Sequence, residues 1–210
     1  MVRRVWSKLL LIICIASVFI GCKKEDEETT NCCNGGSGAV PELYYEVEID
    51  GVPILFEAGE NYFESIAVAD CCTNAGQELQ SSVLQSTLDS TINQGGYKIL
   101  KHFTNAPSSC SDLGTMFSLG TQSFGNSNTG VDGVVVYYID FSGTLWASDL
   151  GVAIQPNSSV EITELSNNNS SGSEKITTLT VNCKLYDDSG NSLDLTNGTI
   201  RSYSLQCSHL

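Results

Sequence analysis

A repeated two-residue period constrains this chain more than any other feature. In Val160-Glu161-Ile162-Thr163-Glu164-Leu165 apolar and polar residues alternate, which sorts side chains onto opposite faces of an extended strand. Similar blocks recur, with turn punctuation between them. Leu43 to Ile49 is followed by Asp50-Gly51 and then by Pro53 to Ala58, and an Asp-Gly pair between two β-rich runs predicts a hairpin. Tyr97 to Phe103 alternates, Thr115 to Leu119 reads as a further short strand, and Thr144 to Ala147 follows the turn Asp140-Phe141-Ser142-Gly143. Val131 to Ile139 is almost uninterruptedly apolar, the pattern of a central strand covered on both faces. Ile176 to Tyr186 leads into the turn Asp187 to Asn191. Asn197-Gly198 predicts a break between Leu193-Asp194-Leu195 and Thr199 to Leu205. In Leu79 to Ile92, Leu84, Leu88 and Ile92 fall at helical spacing, but the segment is rich in Ser and Thr, which are indifferent helix formers. A strand ending near Asp89 is the favoured reading. Short strands joined by turns predict an all-β fold: an antiparallel β-sandwich, immunoglobulin-like or jelly-roll-like, of two sheets.

The amino terminus is organised differently. Arg3, Arg4 and Lys8 precede the uncharged run Leu9 to Ile20. As a helix that run would rise about 18 Å, short of the roughly 30 Å hydrocarbon core of a bilayer, so it reads as a signal peptide and not as a membrane span. Small Gly21 before Cys22 sets the cleavage point. The chain thus divides into a signal peptide (1–21), an acidic and glycine-rich linker (22–39) and one β-domain (40–210). After cleavage, seven basic residues face 24 acidic ones, a formal charge of −17. Such a charge repels nucleic acid. Arg201 is the single mature arginine, which leaves little for bidentate recognition of phosphate or carboxylate.

Val18-Phe19-Ile20-Gly21-Cys22 resembles the lipobox of bacterial lipoproteins, with Phe19 where Leu or Val is more frequent. The resemblance implies a diacylglycerol on the Cys22 thiol, and acyl chains contribute ~0.8 kcal/mol per buried methylene to anchoring. Lys24-Glu25-Asp26-Glu27-Glu28 resembles the lysine-then-acidic signal that sends Bacteroidota lipoproteins to the outer face of the outer membrane. It implies a cell-surface address, with a periplasm-facing one as the alternative. Val47-Glu48-Ile49-Asp50-Gly51, Gln94-Gly95-Gly96-Tyr97 and the tail from Cys183-Lys184-Leu185-Tyr186 to Leu195-Thr196-Asn197-Gly198-Thr199-Ile200 are similar to uncharacterised Bacteroidota β-sandwich lipoproteins. In that family they correspond to an opening hairpin, a turn before a central strand and the closing strands. Asp89-Ser90-Thr91 resembles the Asp-Ser/Thr-apolar-type acceptor of Bacteroidota O-glycosylation, which would place a glycan on Ser90.

Seven further cysteines follow Cys22, at 32, 33, 71, 72, 110, 183 and 207. An envelope compartment permits disulfides, and an odd number leaves at least one thiol unpaired within the chain. Cys183 with Cys207 is one expected bridge, closing a loop worth about 3 kcal/mol of chain entropy. Cys71 or Cys72 with Cys110 is the other. Adjacent cysteines lack the two-to-four-residue bite of a zinc site, so no metal and no cofactor is expected. His102 and His209 are the two histidines, and no Gly-x-Ser-x-Gly elbow accompanies them. Asp187-Asp188-Ser189-Gly190-Asn191 lacks the twelve-residue loop of an EF-hand and reads as a β-turn. Tyr44-Tyr45 and Tyr137-Tyr138 each send one ring to each sheet face. Tyr45, Tyr137 and Trp146 are therefore candidate ligand contacts, as an aromatic platform for a glycan or an envelope protein. The expected function is a non-catalytic binding or interaction module; an assembly component of the envelope is the alternative, and a small hydrolase ranks behind both.

Overall fold

The structure, a computed structural model, describes residues 42–70, 76–105, 114–151, 155, 157–168 and 174–206; all belong to the compact unit Val40–Leu210. The expectations for Cys22, for Lys24 to Glu28, and for Cys32, Cys33, Cys71, Cys72, Cys110, Cys207 and His209 lie outside the described residues.

Every named element among the described residues is a strand: β1 (Tyr44–Ile49), β2 (Val52–Glu57), β3 (Phe63–Asp70), β4 (Gly76–Ser86), β5 (Gln94–Phe103), β6 (Gly120–Thr121), β7 (Gly133–Ile139), β8 (Leu145–Ala147), β9 (Ser159–Asn167), β10 (Glu174–Tyr186) and β11 (Ser192–Gln206). They form one continuous sheet in the order β2-β1-β11-β10-β8-β7-β5-β4-β3, with β9 and β6 branching from β10. The pairings between strands are antiparallel. The fold is therefore all-β and antiparallel, as the alternation requires. The sheet curls until β3, at its far edge, meets β11, where the Tyr203 backbone N–H donates to Ser65 Oγ at 3.4 Å. That near-closed, barrel-like curl replaces the clear separation into two sheets that the strand count led us to expect. The link is β8, a three-residue strand that pairs with both β7 and β10 and leaves no break between the halves.

The enclosed face is apolar and close-packed. Tyr45, Val47, Leu84, Tyr97, Val136, Leu179, Leu185, Leu195 and Ile200 are all at most 2 % exposed. Tyr45 spans the interior from β1 to β5, and its ring occupies the space a Cβ at Gly95 would need, 2.6 Å away. Phe56 stacks on Tyr45 at 5.7 Å and on Phe63 at 4.6 Å. A layer of hydroxyls crosses the same interior. Ser82 Oγ donates to Ser202 Oγ at 2.5 Å, and Thr177 Oγ1 and Ser204 Oγ lie 2.5 Å apart. Burial raises the Tyr97 hydroxyl above its ordinary pKa, and the surrounding Ser202, Thr177, Ser204 and Ser82 hydroxyls offset part of that rise. By geometry the Tyr97 and Tyr45 hydroxyls have no hydrogen-bond partner among the described residues.

Local expectations meet different fates. Asp50-Gly51, with φ of 48° and 78°, closes the β1–β2 hairpin between Ile49 and Val52, and Leu79 falls in strand β4, which ends at Ser86. Val134, Val135 and Val136 of β7 are buried on both faces. The Asp187 carboxylate accepts from the N–H groups of Ser189 (3.0 Å) and Asn191 (2.8 Å), a self-contained turn. Asn197-Gly198, by contrast, does not end a strand. Residues 192–206 run as one strand, and Asn197 at φ 51° forms a bulge that shifts the register between Val181 and Cys183. Partners on both sides, β1 and β10, hold the backbone extended where an isolated Asn-Gly would reverse it. Gln94-Gly95-Gly96 is likewise strand and not a turn. Its glycines serve close approach, since a Cβ on Gly96 would lie 2.1 Å from the Ser82 carbonyl oxygen. Thr115 to Leu119 is irregular, with Met116 and Phe117 turned into the core; the adjoining Gly120–Thr121 pairs with β9 instead.

Of the expected Cys183–Cys207 bridge, only Cys183 falls within the described residues. Cys183 is a buried free thiol facing Leu195. Gln206 pairs with Glu174, nine residues back along β10 from Cys183, a separation of roughly 30 Å.

Candidate functional site

Strand β5 is longer than its neighbour β7 at one end, and the candidate site grows from that mismatch. Pairing ends at Leu100 with Gly133, so the N–H of His102 has no strand partner on that side. The Asp132 carboxylate takes it, accepting at 2.9 Å and 3.0 Å on its two oxygens. The same carboxylate lies 2.7 Å from His102 Nδ1. Both side chains are about half exposed, His102 at 51 % and Asp132 at 47 %.

The segment from Gly114 to Asp132 folds back over this strand end. Phe124 bridges to Val134, Asn126 to Val131, and β6 pairs with β9. The crossing is tight enough to need glycine: Gly133 has φ 142°, and a Cβ there would meet the Ser123 carbonyl oxygen at 2.4 Å. Lys101, on the face of β5 opposite His102, donates from Nζ to the Thr115 carbonyl at 2.6 Å and to Thr115 Oγ1 at 3.2 Å. Gln122 Nε2 donates to the carbonyls of Ser118 (2.7 Å) and Gly120 (2.9 Å). Between the folded-back segment and the strands lies an open cleft of about 250 Å³, whose polar lining comes from Lys101, Thr115, Ser118, Gln122, Ser123 and Asp132.

The cleft is lined by hydrogen-bonding side chains. Histidine paired to aspartate is two-thirds of a hydrolytic triad. Here the pair is solvent-exposed, the His102 ring is backed by the Gly130 backbone, and no hydrogen bond joins His102 to a serine among the described residues. Asp132 completes a strand end, which is a structural task. The hydroxyls, amide, ammonium and carboxylate around the cleft are the donors and acceptors a hydroxyl-bearing ligand meets. Among the described residues no group of histidines, cysteines and carboxylates is arranged to hold a metal.

The three aromatic candidates, Tyr45, Tyr137 and Trp146, are not brought together. Tyr45 is completely buried and is corrected to a core residue. Tyr137 lies on the other face, half-buried over Gly96, with its hydroxyl donating to the Ser82 carbonyl at 3.4 Å and Lys98 Nζ 5.6 Å from its ring centre. Trp146 packs half-buried against the core, and its Nε1–H donates to Asp140 Oδ2 at 3.0 Å. These three rings form no platform, because residues 45 and 137 point to opposite faces of the sheet. Ser90 sits exposed in the β4–β5 turn, where the Asp89 carboxylate binds the Thr91 N–H at 2.9 Å and the Thr91 hydroxyl at 2.5 Å. The reading of the sequence missed Lys101, Ser118, Gln122, Ser123 and Asp132. The available signal was Asp132-Gly133 at the mouth of an apolar run: an acidic residue and a glycine where the pattern otherwise demands buried side chains.

Comparison with protein-family models, with curated proteins and with solved structures finds no match to this chain.

Proposed function

We infer that this is a lipid-anchored envelope protein, held by Cys22 and displayed outward by the Lys24 to Glu28 segment, in which the β-domain acts as a non-catalytic binding module. The signal-like amino terminus and the acidic linker support the address. A sandwich-like flattening of the curled sheet, supported by the packing of β11 on β3 and β4, belongs to the same reading. The single observation that carries the binding role is the cleft beside Lys101 and Asp132. Its charged groups are already tied to the protein's own backbone, so its chemistry suits holding a ligand better than reacting with one. The ligand class that fits is a hydroxyl-rich glycan, met by the Ser118, Ser123 and Gln122 side chains.

The experiment is a glycan-array screen with the mature chain carrying Cys22→Ser, followed by titration of any hit against Ser123→Ala and Gln122→Ala. Losing one hydrogen bond of about 1 kcal/mol weakens binding roughly five-fold. Unaltered affinity in both variants would move the site elsewhere. Fractionation tests the address separately: Cys22→Ser should release the protein from membranes.

A further inference from the structure

A rim of three loops presents apolar side chains that the fold does not use. The β2–β3 connection turns through Asn61 and Tyr62, both left-handed at φ 48° and 65°, and closes with the Phe63 N–H on the Glu60 carbonyl at 2.9 Å. A bulky ring in that backbone region is strained. Tyr62 nevertheless stands 67 % exposed, so intramolecular packing does not offset the strain. The Thr87 N–H donates to the Tyr62 carbonyl at 2.7 Å, which sets the β4–β5 connection alongside, with Leu88 73 % exposed. At the end of that connection the Asn93 N–H donates to the Asp140 carbonyl at 3.3 Å. Ile92 lies against Gly143, and the β7–β8 turn there carries Phe141, 79 % exposed. Asp89 and Asp140 accept N–H and hydroxyl hydrogen bonds within their own turns, which fixes the presentation. Tyrosine, leucine and phenylalanine on firm loop tips are what a headgroup boundary accepts.

The described chain begins beside this rim. The Ala58 N–H donates to the Leu43 carbonyl at 2.9 Å, so exposed Glu42 adjoins the loop that carries Tyr62. Cys22 lies 20 residues earlier, at most about 70 Å of chain. That length alone permits any orientation.

We propose that Tyr62, Leu88 and Phe141 rest in the headgroup region of the bilayer that holds the lipid on Cys22, an inference that rests on the anchor reading above. The contact orients the domain. Strand β5 runs from Gln94, beside the rim, to His102, beside the cleft, eight residues on and roughly 27 Å away. The cleft then faces away from the membrane, open to ligands. Glu60, Asp89 and Asp140 flank the rim, so the matching surface is zwitterionic, since anionic lipid repels them.

The test uses the mature lipidated protein in phosphatidylcholine vesicles with brominated acyl chains. Phe141→Trp and, independently, Leu88→Trp report on the rim; Asn128→Trp, in the turn near His102, reports on the far end; wild-type emission from Trp146 is the baseline. The expected result is at least two-fold quenching of the added emission at 141 and 88, with none at 128. Vesicle flotation without rim quenching, or with equal quenching at both ends, overturns the docking and leaves the anchor standing. Failure of the wild-type protein to float with vesicles overturns both. Dimerisation of the lipid-free Cys22→Ser chain that is abolished by Phe141→Ser would assign the rim to a second copy and likewise overturn docking on lipid.

Discussion

Replacing Tyr45 by phenylalanine tests the description of the interior most directly. The Tyr45 ring is fully buried between Phe56 and Gly95, and its hydroxyl has no partner among the described residues. Burial, reinforced by Cys183, Tyr138 and Tyr137, holds that hydroxyl protonated far above the ordinary phenol range. A buried, unsatisfied hydroxyl costs about 1–3 kcal/mol of desolvation. Deleting the oxygen leaves a void of roughly 10 Å³, which at about 24 cal/mol per Å³ costs a few tenths of a kcal/mol. The net expectation for Tyr45→Phe is a gain of about 1–2 kcal/mol, or roughly 2–4 °C in Tm per kcal/mol for a domain of this size. Urea unfolding of the mature chain followed through Trp146, the single tryptophan after the signal segment, measures it. The midpoint should rise at constant slope. A loss of 1 kcal/mol or more would refute the reasoning, because it would mean that the hydroxyl is bonded, through an internal water for example. Tyr45→Ala should instead cost about 3–5 kcal/mol, as removal of a buried aromatic ring does.

Other outcomes follow from the same contacts. Gly96→Ala places a Cβ 2.1 Å from the Ser82 backbone oxygen, which backbone cannot easily yield, so unfolding free energy should fall by about 1–3 kcal/mol or more; an unchanged denaturation midpoint would contradict the close approach of β4 and β5. Burial, then the nearby Asp194 charge, pushes the Cys183 thiol up to about 12, so alkylation at pH 8 should be negligible in the native protein and complete in denaturant without reductant. A peptide linking Cys183 to any other cysteine in non-reducing mass spectrometry would contradict the free thiol. For Asp140, burial raises the pKa, but hydrogen bonds from Ser142, Trp146 and Thr144 outweigh it and leave the pKa depressed. Its stabilisation is therefore present above the unfolded value near 3.8 and is lost as pH falls through the lower folded value. Trp146 emission should stay constant down to pH 4 and change below it, and Asp140→Asn should abolish that acid transition.

How much was legible depended on whether a pattern is local. The hairpin at Asp50-Gly51 and the turn at Asp187 to Asn191 are set by residues that bond to their own neighbours, so the sequence contained them. Asn197-Gly198 carried the same local signal and misled, because β1 and β10 flank β11 on both sides and convert a turn signal into a bulge. Gly95 and Gly96 misled in the same way. Their partners, Tyr45 and Ser82, are distant in sequence. Of the cleft, only Asp132-Gly133 had a visible trace; Lys101 and Gln122 gain their roles from a segment folded back across two strands.

By itself, then, the sequence determined the all-β class, the positions of most strands and the tightest turns, since alternation and left-handed turn residues act within a few residues. It also carries the features, around Cys22, from which an anchored address is inferred. Only the tertiary structure decided that the sheet is continuous through β8, that Tyr45 is core, that Cys183 stands alone, and that a cleft and an apolar rim lie at opposite ends of β5. Those outcomes depend on which distant strands meet and in what register. A shift of one residue exchanges the buried and exposed faces of a strand, and no local pattern records that choice.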